Sequence, residues 1–204
     1  MWALVESGSV SKIYTRPTQL TIGDIKYPRN IFELWSESQL KTIGIYTVVI
    51  DNTNLKDSNY YRNTDQSFNF ASDTVTASYG TATAKDIADT LYTAQDETDG
   101  LGTEGEVKTE GLKTKCKRGI NANAGGILAP TDWMVIRATE GGTAVPSSIT
   151  TQRAAVRTKA NQMCTAIDNA ADVDALATLY AYTNTGTEES PVYTRPLGEF
   201  PELS

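Results

Sequence analysis

Over roughly the first eighty positions apolar residues tend to alternate with polar ones, and beyond them the spacing moves toward the 3.6-residue period of helices. That switch predicts two differently built regions. Trp2 to Glu6 reads as a short apolar strand, Ser7-Gly8-Ser9 as a turn, and Val10 to Thr15 as a second strand that Pro17 ends. Leu20 to Tyr27 makes a third run, broken at Gly23-Asp24. Ser36 and Gln39 have capping-box spacing, in which each side chain satisfies a backbone N–H at a helix start. Trp35 and Leu40 take the flanking positions of a hydrophobic staple, and Gly44 supplies the left-handed residue that stops the helix. Ile45 to Ile50 follows as a nearly continuous apolar strand, buried on one face or both. After a polar loop, Tyr60 to Tyr79 reads as an antiparallel hairpin turning at Ala71-Ser72-Asp73, with polar edges that suit exposure or pairing with a partner.

Past Gly80 alanine rises. Ala84, Ile87, Ala88 and Leu91 fit one helical face, with Thr83 as its N-cap. Thr103 and Glu106 form a second capping box, opening a helix whose stripe is Leu112, Cys116, Ile120, Ala124 and Ile127 and which Pro130 ends. Its glycines (Gly111, Gly119, Gly125 and Gly126) cost roughly 1 kcal/mol each against alanine, so it needs packing partners. Thr131 to Ala138 suits a helical turn or a strand. The clearest helix has Ile149, Val156, Met163 and Ala170 seven residues apart, and Asp172 caps a last short helix carrying Val173, Leu176, Leu179 and Tyr180. From Thr183 onward the chain reads as an extended arm rich in Thr, Glu, Pro and Tyr, which would fray alone and is expected to lie on a neighbour. The expectation is an α+β protein: a small β-rich domain over 1–80, a helical module over 81–182 and an extended C-terminal arm over 183–204.

Composition narrows the chemistry. The net charge is −7, with 18 Lys+Arg against 25 Asp+Glu, so neither nucleic acid nor an anionic membrane is an expected partner. No apolar run has the length of a transmembrane helix, and Met1 to Glu6 lacks the basic start of an export signal. Cys116 and Cys164 are too few for a disulfide framework and read as small, at least half-buried hydrophobes. Histidine is absent, which removes Ser-His and Cys-His nucleophile pairs and nearly all zinc sites.

Three motifs invite chemistry. Gly100-Leu101-Gly102-Thr103-Glu104-Gly105 spells the dinucleotide fingerprint, but an acidic stretch rather than a strand precedes it, and it reads as a linker. The basic run from Lys113 to Arg118 has Glu104, Glu106 and Glu110 one to two turns earlier, which makes it a salt-bridged face. The acids from Asp86 to Asp99 lack the alternating spacing of a calcium loop. No catalytic residue, cofactor or metal site is expected.

What remains is Leu128-Ala129-Pro130-Thr131-Asp132-Trp133 followed by Arg153 and Arg157, one helical turn apart. A threonine or aspartate before a large aromatic suits a helix start, and both arginines can grip carboxylates bidentately. Two readings stand side by side: Asp132, Trp133, Arg153 and Arg157 bind a partner, or Trp133 anchors a core and the arginines hold their helix against Asp132 or Glu140. The tetrapeptide Tyr14-Thr15-Arg16-Pro17 recurs as Tyr193-Thr194-Arg195-Pro196. Either matching edges meet one kind of surface, which adds Tyr193 and Arg195 to the partner-binding candidates, or the repeat is chance.

An Ile-Leu-x-x-Thr-Asp-Trp element, a spacer, then Arg-Ala-x-x-Arg in a helix resembles the C-terminal part of phage tail assembly chaperones and tail-fibre-associated proteins. Tyr27-Pro28-x-Asn30, with Leu40-x-x-x-Gly44-Ile45-Tyr46-x-Val48, is similar to the small opening domain of tail-fibre and fibre-assembly proteins. The whole chain looks like small proteins of marine and cyanobacterial phages. The resemblance implies a non-enzymatic part of a bacteriophage tail, made in the host cytoplasm and carried in the virion, in a homo-oligomer or symmetric assembly with other tail or fibre proteins. A tail-fibre assembly chaperone is the alternative. Gln152 stands where the chaperone pattern has an aromatic, and the C-terminal arm continues past the helices.

Overall fold

The computed structural model describes residues 1–202. It is an α+β protein that divides into two compact units, Met1–Thr83 and Ala84–Ser204.

The first unit is built on a five-stranded sheet. Its strands are β1 (Trp2–Glu6), β2 (Ser9–Tyr14), β5 (Ile45–Asp51), β7 (Gln66–Ala71) and β8 (Thr74–Tyr79), in the order β2-β1-β5-β8-β7. The β5–β8 pair is parallel and the others are antiparallel. Between β2 and β5 the chain forms a hairpin of β3 (Leu20–Ile22) and β4 (Ile25–Tyr27), then two short helices, α1 (Ile31–Leu34) and α2 (Glu37–Thr42). Two-residue strands β6 (Tyr61–Arg62) and β9 (Thr83–Ala84) lie before β7 and after β8.

Local chemistry accounts for these elements. The β1–β2 turn puts Ser7 and Gly8 at φ 51° and 78°, the doubly left-handed geometry that matches strand twist in tight hairpins. Val5 faces Val10 while Leu4 faces Lys12, so Ser11 is the extra residue of a bulge. That bulge lets Val10 and Ile13, three apart, share one face of the sheet. The predicted capping box is formed: Gln39 N–H donates to Ser36 Oγ and Ser36 N–H to Gln39 Oε1. Gly44 sits at φ 79°, and a Cβ there would lie 2.8 Å from the Val5 carbonyl oxygen. No other residue suits that position.

The sheet buries apolar residues on both faces. Leu4, Tyr14 and Ile45 pack with Leu20, Ile31, Phe32 and Leu40 under the helices and the β3–β4 hairpin. Ala3, Val48, Val75 and Ala77 form the other cluster, with Tyr46, Phe68 and Phe70 against it. Thus Ile45 and Val48 are buried on opposite faces of β5, while Val49 and Ile50 at its far end are exposed.

In the second unit β10 (Thr90–Leu91) pairs with β11 (Val107–Thr109), enclosing the short helix α3 (Ala94–Thr98). Then come α4 (Leu112–Leu128), a 3-10 turn (Ala129–Thr131), α5 (Asp132–Thr139), α6 (Ser147–Asn169) and α7 (Val173–Tyr180). Helix α6 packs on α4 and α7 and buries Arg153, Val156, Ala160, Met163 and Ile167, the stripe of a one-sided helix. Asp172 caps α7 by accepting from the Ala175 N–H at 2.8 Å.

Three expectations for this unit are corrected. The helix expected at Ala84, Ile87, Ala88 and Leu91, with Thr83 as cap, does not form. Backbone groups there are taken by distant partners: the Asp86 and Ile87 carbonyls accept from Leu112 and Lys113, and Thr90–Leu91 joins β11. Thr103 and Glu106 make no capping box; the box of this region is Thr93 with Asp96. Helix α4 begins instead at Leu112, where the Asp89 carboxylate accepts from Gly111 N–H (2.7 Å) and Thr114 Oγ1 (2.8 Å). Gly111 is therefore a cap rather than an interior residue.

The C-terminal stretch is not an extended arm. It forms a hairpin of β12 (Thr183–Asn184) and β13 (Tyr193–Thr194), after which Leu197 is buried and its N–H donates to the Leu179 carbonyl of α7. The tail folds back on its own unit.

Candidate contact site

The segment Ile127 to Arg157 spans the end of α4, the 3-10 turn, α5 and the first half of α6. Pro130 lies in the first positions of the 3-10 turn, where its missing N–H costs nothing, so the chain bends from α4 into α5 without a long loop. Gly141 at φ 83° ends α5.

Arg153 holds this bend together. Its guanidinium, 8% exposed with the residue as a whole, donates Nη1 to the Leu128 carbonyl (2.8 Å) and to Thr131 Oγ1, and Nη2 to Asp132 Oδ1 (2.7 Å). One planar fork thus satisfies the end of α4, the turn and the start of α5. Thr131 does not cap α5 as its position suggested. Its hydroxyl donates back to the Leu128 carbonyl (2.9 Å), and the Arg153 contact takes up its acceptor side. Arg157, one turn on, is exposed. The two arginines expected to act together are separated by burial.

Helix α5 buries none of its eight residues. Trp133 is 53% exposed and Ile136 58%, about one turn apart, and Val135, on another side of the helix, is 39% exposed. The Arg137 guanidinium stacks over the Trp133 ring at 4.8 Å, and its buried Nε has no hydrogen-bond partner among the described residues. Trp133 is therefore no core anchor.

Tyr193 and Arg195 have separate fates too. Tyr193 is exposed on β13. Arg195 lies over the Tyr182 and Tyr180 rings (5.1 and 5.8 Å) and pairs with Glu199 at 2.7 Å. Tyr182 O–H donates to the same carboxylate, a bond that raises the phenol's pKa and lowers that of Glu199. In the first copy of the tetrapeptide the pattern is reversed: Tyr14 is buried and Arg16 exposed. The two copies meet unlike surroundings and are not matching edges.

The basic run of α4 is salt-bridged, with one of the three expected glutamates and with an aspartate the spacing did not suggest. Arg118 pairs with Glu110 (2.5 Å) and Lys117 with Asp168 (2.7 Å), while Glu104 and Glu106 lie outside any helix. Asp96 shows the largest carboxylate displacement, down to about 2, because Lys108 and then the Thr93 N–H and hydroxyl all donate to it. It is a half-buried capping group, not a poised catalyst. The cysteines are half-buried and free, and burial raises the Cys164 thiol pKa. Among the described residues no group of three or more His, Cys, Asp or Glu is placed to hold a metal ion, and no helix is long and apolar enough to cross a membrane.

Set against known proteins, the chain matches no family model, no curated protein and no solved structure.

Proposed function

We propose that the protein is a non-enzymatic structural component of a bacteriophage tail, a tail, baseplate or fibre-attachment subunit that acts through protein–protein contacts. The observation that carries this reading is α5, a helix rich in large apolar residues that buries none of them, fixed in place by Arg153. Large apolar side chains left exposed on a helix held rigidly in place mark a docking surface. The segment bearing it is the one that resembles phage tail proteins. In this reading Trp133 anchors the contact, Arg157 and Tyr193 stay open to partners, and Asp132, Arg153 and Arg195 act from within by holding those surfaces in shape.

The same exposed helix supports a second reading, a tail-fibre assembly chaperone that covers a sticky fibre surface and then leaves. Mass spectrometry of purified virions separates the two. A subunit is present at fixed stoichiometry; a chaperone occurs in infected lysate and is missing from the particles.

A further inference from the structure

The inference concerns the other unit, and it rests on the reading of the chain as a subunit working through protein contacts. A cleft of about 710 Å³ opens beside the β3–β4 hairpin, lined by Arg16, Lys26 and Arg29 with Pro17, Tyr27 and Pro28. No acid lines it, although the chain carries a net charge of −7. Several cations elsewhere are paired, as in Lys41–Asp73, Lys108–Asp96, Lys117–Asp168 and Arg195–Glu199. The side chains of Arg16, Lys26 and Arg29 are exposed and enter no ion pair among the described residues. Three like charges around one cleft repel each other and attract an anion.

The cleft is preformed. Leu20 faces Tyr27 across the hairpin, the Tyr27 ring meets Trp35 edge-on at 5.9 Å, and both rings pack on the buried cluster beneath. Pro17 and Pro28 fix the backbone on either side. Little ordering is needed on binding, which favours affinity.

The chain also carries a complementary anion. Glu188 and Glu189 sit at the exposed end of the β12–β13 hairpin, and neither enters an ion pair among the described residues. Their loop is braced. Asn184 Oδ1 accepts from Gly186 and Val192 N–H, each at 3.0 Å, and Thr187 Oγ1 accepts from Ser190 N–H at 3.1 Å. Two adjacent carboxylates are thus offered on a stiff tip, and arginine forks grip carboxylates bidentately.

We propose that the Arg16–Lys26–Arg29 cleft is a carboxylate-binding site whose occupant is the Glu188–Glu189 tip of a second copy of this chain. Such a contact joins different surfaces of two copies. It is heterologous and propagates as a ring or a helical stack.

Sedimentation velocity of the full chain over a range of concentrations tests this, at low and at high salt. The expected result is concentration-dependent association that weakens as salt rises. Arg16→Glu with Arg29→Glu, and separately Glu188→Lys with Glu189→Lys, each weaken it at least tenfold. Mixing the two variants restores it, because each then supplies the charge the other lacks; circular dichroism checks that both remain folded. A monomer at every concentration overturns the proposal, as does a mixture that stays dissociated. Loss with the cleft variant alone, together with competition by dextran sulfate or a single-stranded oligonucleotide, would assign the cleft to a different polyanion and also overturn it. None of these failures bears on whether the protein is found in virions, so the structural reading stands or falls separately.

Discussion

In the Met1–Thr83 unit the sheet sends its large side chains inward on both faces, and its exposed apolar residues are scattered. Ile25 is on β4, Leu34 on α1, and Val49 and Ile50 point to opposite sides of β5. In the Ala84–Ser204 unit one helix, α5, gathers Trp133, Val135 and Ile136 and buries none of them, while a charged residue, Arg153, takes a place in the interior. Scattered exposed apolar residues need no explanation; a helix of them does. The sheet unit's hydrophobic pattern is accounted for by its own core. That of the helical unit is not, and the remainder lies exposed on α5.

The largest expected effect breaks the first half of this comparison. Ile45 is fully buried at the centre of the sheet unit. Ile45→Ala should destabilise that unit by about 3–4 kcal/mol, read as faster hydrogen exchange of the β5 amides. A loss under about 1 kcal/mol would mean that the sheet does not depend on its core in the way described.

Two arginines one turn apart sharpen the second half. Arg153→Ala removes three hydrogen bonds and leaves the Leu128 carbonyl and Thr131 without that partner. Because Asp132 is 54% exposed, the ion pair itself is partly screened, and a cost of about 2 kcal/mol is expected in urea unfolding. Arg157→Ala, at an exposed position, should change stability by less than about 0.5 kcal/mol. Equal effects would contradict the separation of the two residues by burial.

The smallest effect is on pH. Asp96 titrates at about 2 against an ordinary 3.8, so its contribution to stability is complete above the unfolded value and disappears as pH falls through about 2. Lys108→Ala should move the carboxyl partway back toward 3.8 in an NMR titration, since the Thr93 contacts remain. An unmoved titration would remove Lys108 as the principal cause.

Sequence and structure agree where the deciding forces are local. The Ser36–Gln39 box, the left-handed Gly44, the β1–β2 turn and the α6 stripe each follow from residues a few positions apart. They part company where distant groups decide. Asp89 caps α4 from 22 residues away, and the Asp86 and Ile87 carbonyls serve Leu112 and Lys113, so the helical spacing of Ala84 to Leu91 is overridden. The fold-back of the tail likewise depends on Leu197 and Arg195 finding α7 and its neighbours, which no local spacing announces. In the candidate site the residues singled out from the sequence have different surroundings. Arg153 and Asp132 were legible as an internal pair, but only burial tells the engaged Arg153 from the exposed Arg157. The basic cleft was missed because Arg16, Lys26 and Arg29 form no run. It was legible only as cations on both sides of a hairpin whose one acid, Asp24, lies in the turn.

On the proposed function, α5 is a contact surface inside a tail. Oxidative footprinting of the isolated chain and of purified tails, read at Trp133 by mass spectrometry, tests it most directly, with the half-buried Trp2 and Trp35 as internal references. The account predicts that Trp133 is oxidised fastest of the three in the isolated chain and becomes protected in the tail. Equal oxidation of Trp133 in both states would contradict it.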